Sequence, residues 1–514
     1  MSAAAPSVPA PAPAQAAADA ARVSYWQVVG GQLRKNRVAM AAWALVKGLV
    51  GVAVFAPLLA FNLPLVHADG GFPTSPLLSS LFDRTWFEGG VDVFFNLLLL
   101  ALPVWLLVPG TVRALRVGAP GVAWARVGRT ALVAAGLLAA GLVLRAPDWL
   151  PPFLRLAGGL GLLAAVVRLL TALRFGGLAL LVVVGALELW AVVGGKAALA
   201  VAVLGVVLPG AVVVGLGAAG RLSASRARFA CLLLCAAGLV AIQLKPQETS
   251  LPTPWRGPEA QVAGWTLFPP VPFHPNAVGE PEARDRARSR PDAVNWLGCD
   301  VNGRDVATRI VFGARISVTI GLVGVSIYIL IGILLGSLAG YYGGKVDLLV
   351  MRLVEIMICF PTMFLLLTII AVFESRSIFL IMAAIGFVGW PGVTRLVRGE
   401  FLRQRNLDYV TAAQAVGLRE RRVIFRHVLP NCLGPVLVSA SFGIAGAILT
   451  ESGIAFLGLG DQTAVSWGQM LTTGRSSQEW HLILVPGFAI FFVVTVFNLL
   501  GEGLRDALDP KLRR

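Results

Sequence analysis

An arginine-rich segment from Arg395 to Arg426 holds the clearest chemical pattern in this 514-residue chain. It contains eight Arg against three acids, and apolar stretches long enough to cross a bilayer flank it on both sides. Its middle is a helical run of small side chains: Ala412, Ala413, Ala415 and Gly417. A surface with so little bulk lets another protein approach the backbone closely. We therefore interpret the segment as a docking surface, and the positive-inside rule places it in the cytoplasm.

Residues that could perform catalysis do not form a known motif. A phosphate-binding loop needs G-x-x-x-x-G-K-[ST], and the nearest candidates at Lys196 and Lys345 lack the following hydroxyl and the upstream Gly. The sequence has no HExxH or GxSxG pattern, and its four His are far apart, which argues weakly against an intramembrane hydrolase. The five Cys are odd in number and follow no zinc pattern. We expect no enzyme activity, cofactor or metal in this chain.

Membrane helices must position the docking segment. The chain is 57% hydrophobic and 14% charged, with a mean hydropathy of +0.78, which is typical of a polytopic membrane protein. Its net charge of +16 comes from Arg clusters beside apolar stretches. Because that distribution orients helices and makes no continuous basic face, the expected partner is the lipid bilayer and not nucleic acid.

Twelve apolar stretches predict an all-α protein with both termini in the cytoplasm. They fall at about 38–59, 91–110, 130–145, 157–173, 177–193, 197–219, 229–243, 316–340, 348–373, 377–394, 431–457 and 481–500. Basic residues before the first stretch hold the N-terminus inside. The basic loops at 111–129 and 220–228 then also fall inside, and the Pro-rich segment 244–315 falls outside.

Ionisable residues and prolines near the stretches suggest smaller roles. Arg352 and Glu355 are three residues apart, a spacing that favours an ion pair over a substrate contact. Pro361 should kink its helix, because it removes a backbone hydrogen bond. Glu451 could line a polar path through the membrane or, more often for such a residue, contact a neighbouring helix. Caps or ion pairs are expected for a third group: Asp300, Arg304 and Asp305.

The docking segment reads LDYVTAAQAVGLRERRVIFRHVLP and resembles the cytoplasmic signature loop of ABC-importer permeases. Thr411 stands where that family usually has Glu, and His427 stands where it often has Ile. The form FRHVLPN is typical of the oligopeptide/dipeptide branch. The resemblance implies a coupling helix that docks in a cleft of a separate ATPase. The residues implied in that contact are Thr411, Ala412, Ala413, Gly417, Leu418 and Pro430.

The resemblance extends over about 280 of the 514 residues. NWLGCDVNGRDVATRIVFGARISV, GYYGGKVD, SGIAFLGLGDQTAVSWGQML and NLLGEGLRDALDP also resemble segments of the family. The implied fold is a type I ABC-importer permease core of about six helices, with about six additional transmembrane helices. The expected domains are a cytoplasmic tail (1–37), a first core helix (38–61), an outer loop with an inserted multi-span region (62–243), an extracytoplasmic segment (244–315), the permease core (316–505) with its coupling loop (395–430), and a cytoplasmic tail (506–514).

The region from about Val91 to Gln243 has no counterpart in the family pattern. It holds six predicted spans, and an even number leaves the orientation of the later core unchanged. One hypothesis is an accessory module that packs against the core or recruits a partner; the other is a lipid-facing decoration with little effect on transport. Arg168 and Glu188 lie in its apolar spans, where an ionisable residue prompts a functional hypothesis, although Arg168 could equally reach the interface.

The resemblance implies one half of the translocation pathway of an ATP-driven importer in a bacterial inner membrane. The implied partners are one or more ABC ATPase subunits, a homologous second permease and an extracytoplasmic solute-binding protein, and the implied solutes are peptides or related small compounds. Two alternatives stay open: an ion-coupled secondary transporter and a membrane scaffold that does not transport. If the coupling assignment holds, replacing Gly417 with Trp should abolish uptake.

Overall fold

The structure, a computed structural model, describes residues 25–68, 75–81, 86–87, 89–100, 102, 265–276, 287–373 and 376–508. The predicted spans between 130 and 243, with Arg168 and Glu188, lie outside the described residues, as do residues 1–24 and 509–514. In chain order the helices within these ranges are α1 (Tyr25–Lys35), α2 (Arg37–Leu59), α3 (Pro76–Ser79), α4 (Gly90–Leu100), α5 (Val306–Tyr342), α6 (Gly344–Cys359), α7 (Thr362–Val372), α8 (Ile378–Gln404), α9 (Asp408–Ala415), α10 (Glu420–Val423), α11 (Leu429–Phe456), α12 (Trp467–Ser477) and α13 (Trp480–Leu508).

Five helical segments of the described chain are long and apolar enough to cross a membrane. Four are α2, α5, α8 and α13, and the fifth is the continuous helix Glu420–Phe456, in which a π-helical turn at Ile424–Val428 joins α10 to α11. The bent pair α6 and α7 makes a sixth if it counts as one span. These elements coincide with the six predicted core stretches, so the mostly helical permease fold expected from the sequence is confirmed.

The predicted stretch at 348–373 is broken rather than merely kinked. Helices α6 and α7 meet at an angle of 84°. Phe360 between them has extended backbone (φ −84°, ψ 128°), and Pro361 follows with ψ 118°. A residue before proline is pushed out of the helical region, and proline supplies no N–H to continue the ladder. Both effects act at the same place, which accounts for a sharper change of direction than a kink.

Helix α5 begins ten residues earlier than the predicted stretch at 316–340. Asp305 caps its first turn, since its Oδ2 accepts hydrogen bonds from the Thr308 N–H (2.7 Å) and the Thr308 hydroxyl (2.9 Å). The amide of Asn295 donates to the other carboxylate oxygen at 2.9 Å. Asp300 pairs with Arg304 at 2.7 Å. The predicted cap and ion-pair roles of these residues are therefore confirmed.

The described chain contributes to two compact units. The first comprises Met1–Gly48, Ile320–Ile454 and Ile490–Arg514, and the second comprises Leu49–Thr319 and Ala455–Ala489. In the first unit, α5 and α8 pack closely along glycines spaced four residues apart. A Cβ at Gly332 would lie 2.6 Å from Val393 Cβ, and one at Gly336 would lie 2.7 Å from the Thr394 carbonyl. Small residues at this spacing let two membrane helices bring their backbones together.

In the second unit, loops and short elements surround the first turns of α5. Strands β1 (Val66–Ala68) and β2 (Trp265–Leu267) pair antiparallel. The Arg309 side chain, 1% exposed, donates to the Pro275 carbonyl and to Gln469 Oε1 of α12, both at 3.0 Å. Trp467 of α12 donates its indole N–H to the Ile310 carbonyl at 3.0 Å. Side chains far apart in sequence thus fix the start of α5.

Candidate docking site

The predicted coupling helix is α9, an eight-residue helix in the first unit. It begins after Leu407, whose backbone is extended, and Asp408 lies in its first turn, where a carboxylate interacts favourably with the helix dipole. Val410 and Ala413 are buried, with 0% and 9% of their surface exposed. Ala412 lies on the exposed side. The helix therefore has one face on the protein and one free face of small side chains.

The helix ends in a Schellman motif at Gly417. Gly417 has a φ of +77°, in the left-handed region that favours glycine. Its N–H donates to the Gln414 carbonyl at 2.9 Å, and the Leu418 N–H donates to the Ala413 carbonyl at 3.2 Å. The backbone at this position therefore favours glycine strongly. Substituting Trp there would strain the turn as well as add bulk, so Gly417→Trp alone does not test docking.

The exposed face of α9 continues into the turn that closes it. Val416 is 81% exposed, although valine is an apolar side chain that proteins usually cover. The exposed side of α9 and its turn comprises Thr411, Ala412, Gln414, Ala415, Val416 and Gly417. We call this set the α9 face. Of the other predicted contact residues, Ala413 is buried, and Leu418 and Pro430 are half-buried.

Tyr409 links α9 to two membrane helices. Its hydroxyl donates to Gln404 Oε1 at the end of α8, at 2.8 Å. The amide of Asn431, near the start of α11, donates to the same hydroxyl at 3.4 Å and to the His427 carbonyl at 2.9 Å. Desolvation by partial burial raises the pKa of Tyr409. The phenol therefore stays protonated near neutral pH and acts as donor and acceptor at once.

A second group of contacts connects the site to the end of α5. Arg405, just after α8, donates to the carbonyls of Gly340 (3.2 Å) and Tyr341 (3.4 Å) in the last turn of α5. Gln414 of α9 donates its amide to the Tyr341 hydroxyl at 3.2 Å. A guanidinium at a helix C-terminus satisfies carbonyls that have no partner within the helix. Sequence reasoning missed these residues, because their partners lie more than 60 positions away.

The segment between the α9 face and α11 contains the π-helical turn. The Leu429 N–H bonds to the Ile424 carbonyl five residues back, and Pro430 has no N–H to donate. Proline at this place therefore leaves a gap in the ordinary hydrogen-bond ladder, which the wider turn accommodates. Phe425 of the turn is 51% exposed. The predicted Leu-Pro end of the signature thus marks a change in helix geometry.

Two further predicted residues lie elsewhere in the first unit. Arg352 Nη1 lies 2.7 Å from Glu355 Oε2, and both side chains are exposed, so the predicted ion pair is confirmed. Glu451 is 1% exposed, and the Ser452 hydroxyl lies 3.5 Å from its Oε2. This burial is what a contact with neighbouring helices requires.

Two parts of the chain match known protein families. Residues 332–514 match the family described as "Binding-protein-dependent transport system inner membrane component". Residues 24–69 match "N-terminal TM domain of oligopeptide transport permease C". The first match includes α9 and every predicted contact residue. The two matches are separated in the sequence by residues 70–331.

Several transport permeases are similar to this chain over most of their own length. The "Oligopeptide transport system permease protein OppC" of Haemophilus influenzae is 42% identical over 226 residues, which cover 43% of this chain and 72% of the relative. The "Dipeptide transport system permease protein DppC" of Alkalihalophilus pseudofirmus is 43% identical, with coverages of 43% and 74%. The "Glutathione transport system permease protein GsiD" of Pectobacterium atrosepticum is 39% identical, with coverages of 45% and 77%.

These findings define the class of the protein as a transport permease rather than an enzyme. The chain belongs to the family of binding-protein-dependent inner membrane transport components, and its relatives are peptide ABC permeases of the oligopeptide and dipeptide type. The resemblance inferred from the signature segment is confirmed.

Proposed function

We propose that this chain is the transmembrane permease subunit of an ATP-driven importer and forms half of its translocation pathway. The names of its relatives support peptides or similar small compounds as solutes. The proposed partners are a separate ABC ATPase that provides the energy, a second homologous permease, and an extracytoplasmic solute-binding protein. The proposed location is a bacterial inner membrane, with both termini and the α9 face in the cytoplasm.

The observation that carries this proposal is the combination of a free α9 face with side-chain contacts to three membrane helices. The face is small and exposed, which suits insertion into a cleft. Tyr409, which is outside this face, contacts α8 and α11, and Gln414, which belongs to the face, contacts α5. Each such hydrogen bond contributes about 0.5–1.5 kcal/mol net, so several of them hold a short helix in a defined position.

The proposed mechanism is alternating access. When the ATPase dimer closes, it moves the α9 face, and the contacts behind that face transmit the displacement to α5, α8 and α11. Such coupling needs an element with two arrangements that ATP binding favours differently. The solute would pass between this chain and the second permease.

A cross-linking experiment tests the proposal. The full-length chain is purified in mild detergent from its native membrane, with Ala412→Cys as the probe. Ala413→Cys is the matched control, because Ala413 is the next residue in the chain and its side chain is buried. A thiol-specific cross-linker and mass spectrometry identify the attached peptides. We expect a cross-link from position 412 to a co-purifying ATPase and little or none from position 413.

Other outcomes would overturn the proposal. Recovery of the chain without an ATPase or a second permease would contradict it. Uptake that persists without ATP hydrolysis would favour an ion-coupled secondary transporter. Binding of partners without any uptake would favour a scaffold.

A further inference from the structure

Arg315 of α5 is a fully buried cation in the second unit, with 0% of its side chain exposed. Its Nε donates to the Ala53 carbonyl of α2 at 2.8 Å, and its Nη2 lies 3.5 Å from the Val54 carbonyl. Its other contacts are with α4: Nη1 donates to Asp92 Oδ1 at 3.0 Å, and Nη2 donates to Asn96 Oδ1 at 2.9 Å. The Arg315 side chain of α5 therefore bonds to two other helices, α2 and α4.

Aromatic rings and a further hydrogen bond complete this cluster. The guanidinium carbon lies 5.4 Å from the ring centre of Phe95 on α4 and 5.2 Å from that of Phe312 on α5. Asn96 is fully buried, and its amide donates to the Leu81 carbonyl at 2.7 Å. Each polar group of α4 in this cluster therefore has a partner, which is the condition for burying it without a large loss of stability.

Helix α4 has a buried face and an exposed face. Val91, Phe95 and Leu99 follow a four-residue spacing and are 3%, 2% and 5% exposed, whereas Phe94 is 56% exposed. A helix that only decorated the membrane would have no reason to bury an asparagine, or to place an aspartate against a buried guanidinium. The polar residues of α4 lie where α2 and α5 approach it.

The position of α4 in the sequence indicates which parts of the chain this cluster joins. The helix opens the region from about Val91 to Gln243, and that region lies outside both family matches, 24–69 and 332–514. Helix α2, by contrast, lies within the first matched range, and α5 begins before the second matched range and continues into it. The Arg315 contacts therefore join an extra element to elements of the common core.

We propose that α4 is the docking element of the inserted region and that Arg315 attaches it to the permease core. Asp92 supplies the carboxylate that neutralises the buried guanidinium, and Asn96 fills a second position of its planar fork. Helix α4 is then an integral part of the second unit. The inference does not depend on which solute is carried or on the ATPase, because it concerns contacts within the chain.

A double-mutant cycle on the full-length chain tests the attachment. The variants are Asp92→Asn, Arg315→Met and the two combined, each purified in mild detergent and heated until it aggregates. Removing one partner of a buried pair leaves an uncompensated charge. We expect Asp92→Asn to lower the midpoint temperature of this thermal transition by about 5 °C when Arg315 is present. In the Arg315→Met background, the same substitution should cause little further change. Additive shifts would overturn the proposal.

The exposed pair Arg352 and Glu355 provides the matched control. Both side chains are more than half exposed, at 68% and 51%, so Glu355→Gln should change the midpoint by less than about 1 °C. If Asp92→Asn had an effect as small as Glu355→Gln, the carboxylate would not neutralise the buried cation, and the proposal would be wrong.

A labelling measurement keeps the test decisive if Arg315→Met fails to fold. Val91→Cys and Phe94→Cys place thiols on the buried and exposed faces of α4. N-ethylmaleimide should modify position 91 at least about 10-fold more slowly than position 94, as measured on the labelled peptides by mass spectrometry. Arg315→Lys retains the charge but loses the planar fork, so it should accelerate labelling at position 91 only. Equal labelling of both positions in the otherwise unchanged chain would contradict docking.

Discussion

Arg398 of α8 and Asp347 of α6 form a two-point ion pair in the first unit. Nη2 lies 2.6 Å from Oδ2, and Nε donates to Oδ1. The pair is partly exposed, at 31% and 20%. It connects α6, the first helix of the bent pair, to α8. In the sequence, Arg398 lies seven residues before Arg405, which contacts the end of α5. The geometry of a guanidinium fork on a carboxylate fixes orientation as well as distance.

Breaking this pair should loosen the contact between α6 and α8 while lowering the stability of the fold only slightly. We expect Asp347→Asn to cost about 1 kcal/mol or less, because the pair is partly solvated. Solute uptake per ATP hydrolysed, measured in proteoliposomes of the assembled transporter, should nevertheless fall. Glu355→Gln, which disrupts an exposed pair on the same helix, serves as the control. Equal uptake per ATP in both variants would show that the Asp347 pair has no part in coupling.

Bulk and backbone strain can be separated at the turn that closes α9. Val416→Trp adds a large side chain at a position with ordinary helical backbone and 81% exposure. We expect it to abolish uptake without changing the thermal midpoint. Gly417→Asn keeps a residue that tolerates positive φ, so it should retain most of the uptake, whereas Gly417→Ala should cost about 1 kcal/mol. Normal uptake in Val416→Trp would rule out docking at the α9 face.

Gly336 should not accept even a methyl group. A Cβ there would lie 2.7 Å from the Thr394 carbonyl and 2.8 Å from Val397 Cβ, and forcing α5 away from α8 costs about 1–3 kcal/mol. Gly392 of α8 is the control, because a Cβ there meets nothing within 4 Å. We expect Gly336→Ala to lower thermal stability and Gly392→Ala to leave it unchanged or raise it. Similar midpoints for the two variants would contradict the close helix contact.

Stability should depend on pH through His274 of the second unit. Its Nε2 lies 3.2 Å from the Trp86 carbonyl, and its Nδ1 accepts a hydrogen bond from the Asn276 N–H at 3.1 Å. Burial lowers the pKa of His274 from 6.5 to about 4. The neutral ring is therefore the form that fits, and the unfolded chain binds a proton more readily. The contribution is fully present above pH 6.5 and falls by up to about 3 kcal/mol as the pH drops toward 4.

The measurement is a comparison of thermal midpoints between pH 7.5 and 5 for the unchanged chain and for His274→Asn. Asp305 acts in the opposite direction, since burial raises the pKa of its carboxyl and favours the protonated form in the folded state. The difference between the two chains isolates the histidine. If His274→Asn retained the full loss of stability between pH 6.5 and 5, another group would be responsible.

Sequence reasoning succeeds here where the information is local. Hydrophobic length located the six core elements, and the i, i+3 spacing predicted the Arg352 contact with Glu355. At Pro361 it predicted a kink where the helix is broken by 84°. The combined effect of Phe360 and the proline on the direction of the chain depends on how both flanking helices pack. The start of α5 was missed because charged residues interrupt the apolar run at Asp305, Arg309 and Arg315. Their burial becomes evident only from their distant partners.

In the proposed docking surface, too, some features could be predicted from the local sequence and others depend on long-range contacts. The signature pattern located α9, but it grouped Ala413 with the exposed alanines, although one residue around a helix changes the direction of a side chain by about 100°. The contacts of Arg405 and Tyr341 were not predicted, since nothing in either local segment points to the other. Position along the chain located α9, and long-range contacts determine how that helix is held.

The π-helical turn at Ile424–Val428 has a consequence for how the docking geometry can be changed. A π turn holds about one residue more than an α turn, so the phase of α10 is offset from that of α11 by about 100°. Deleting a single residue there would remove the extra residue of the π turn and rotate everything that precedes it about the helix axis. A one-residue change in length could thus alter which side of the segment a partner meets, while leaving the transmembrane part of α11 untouched.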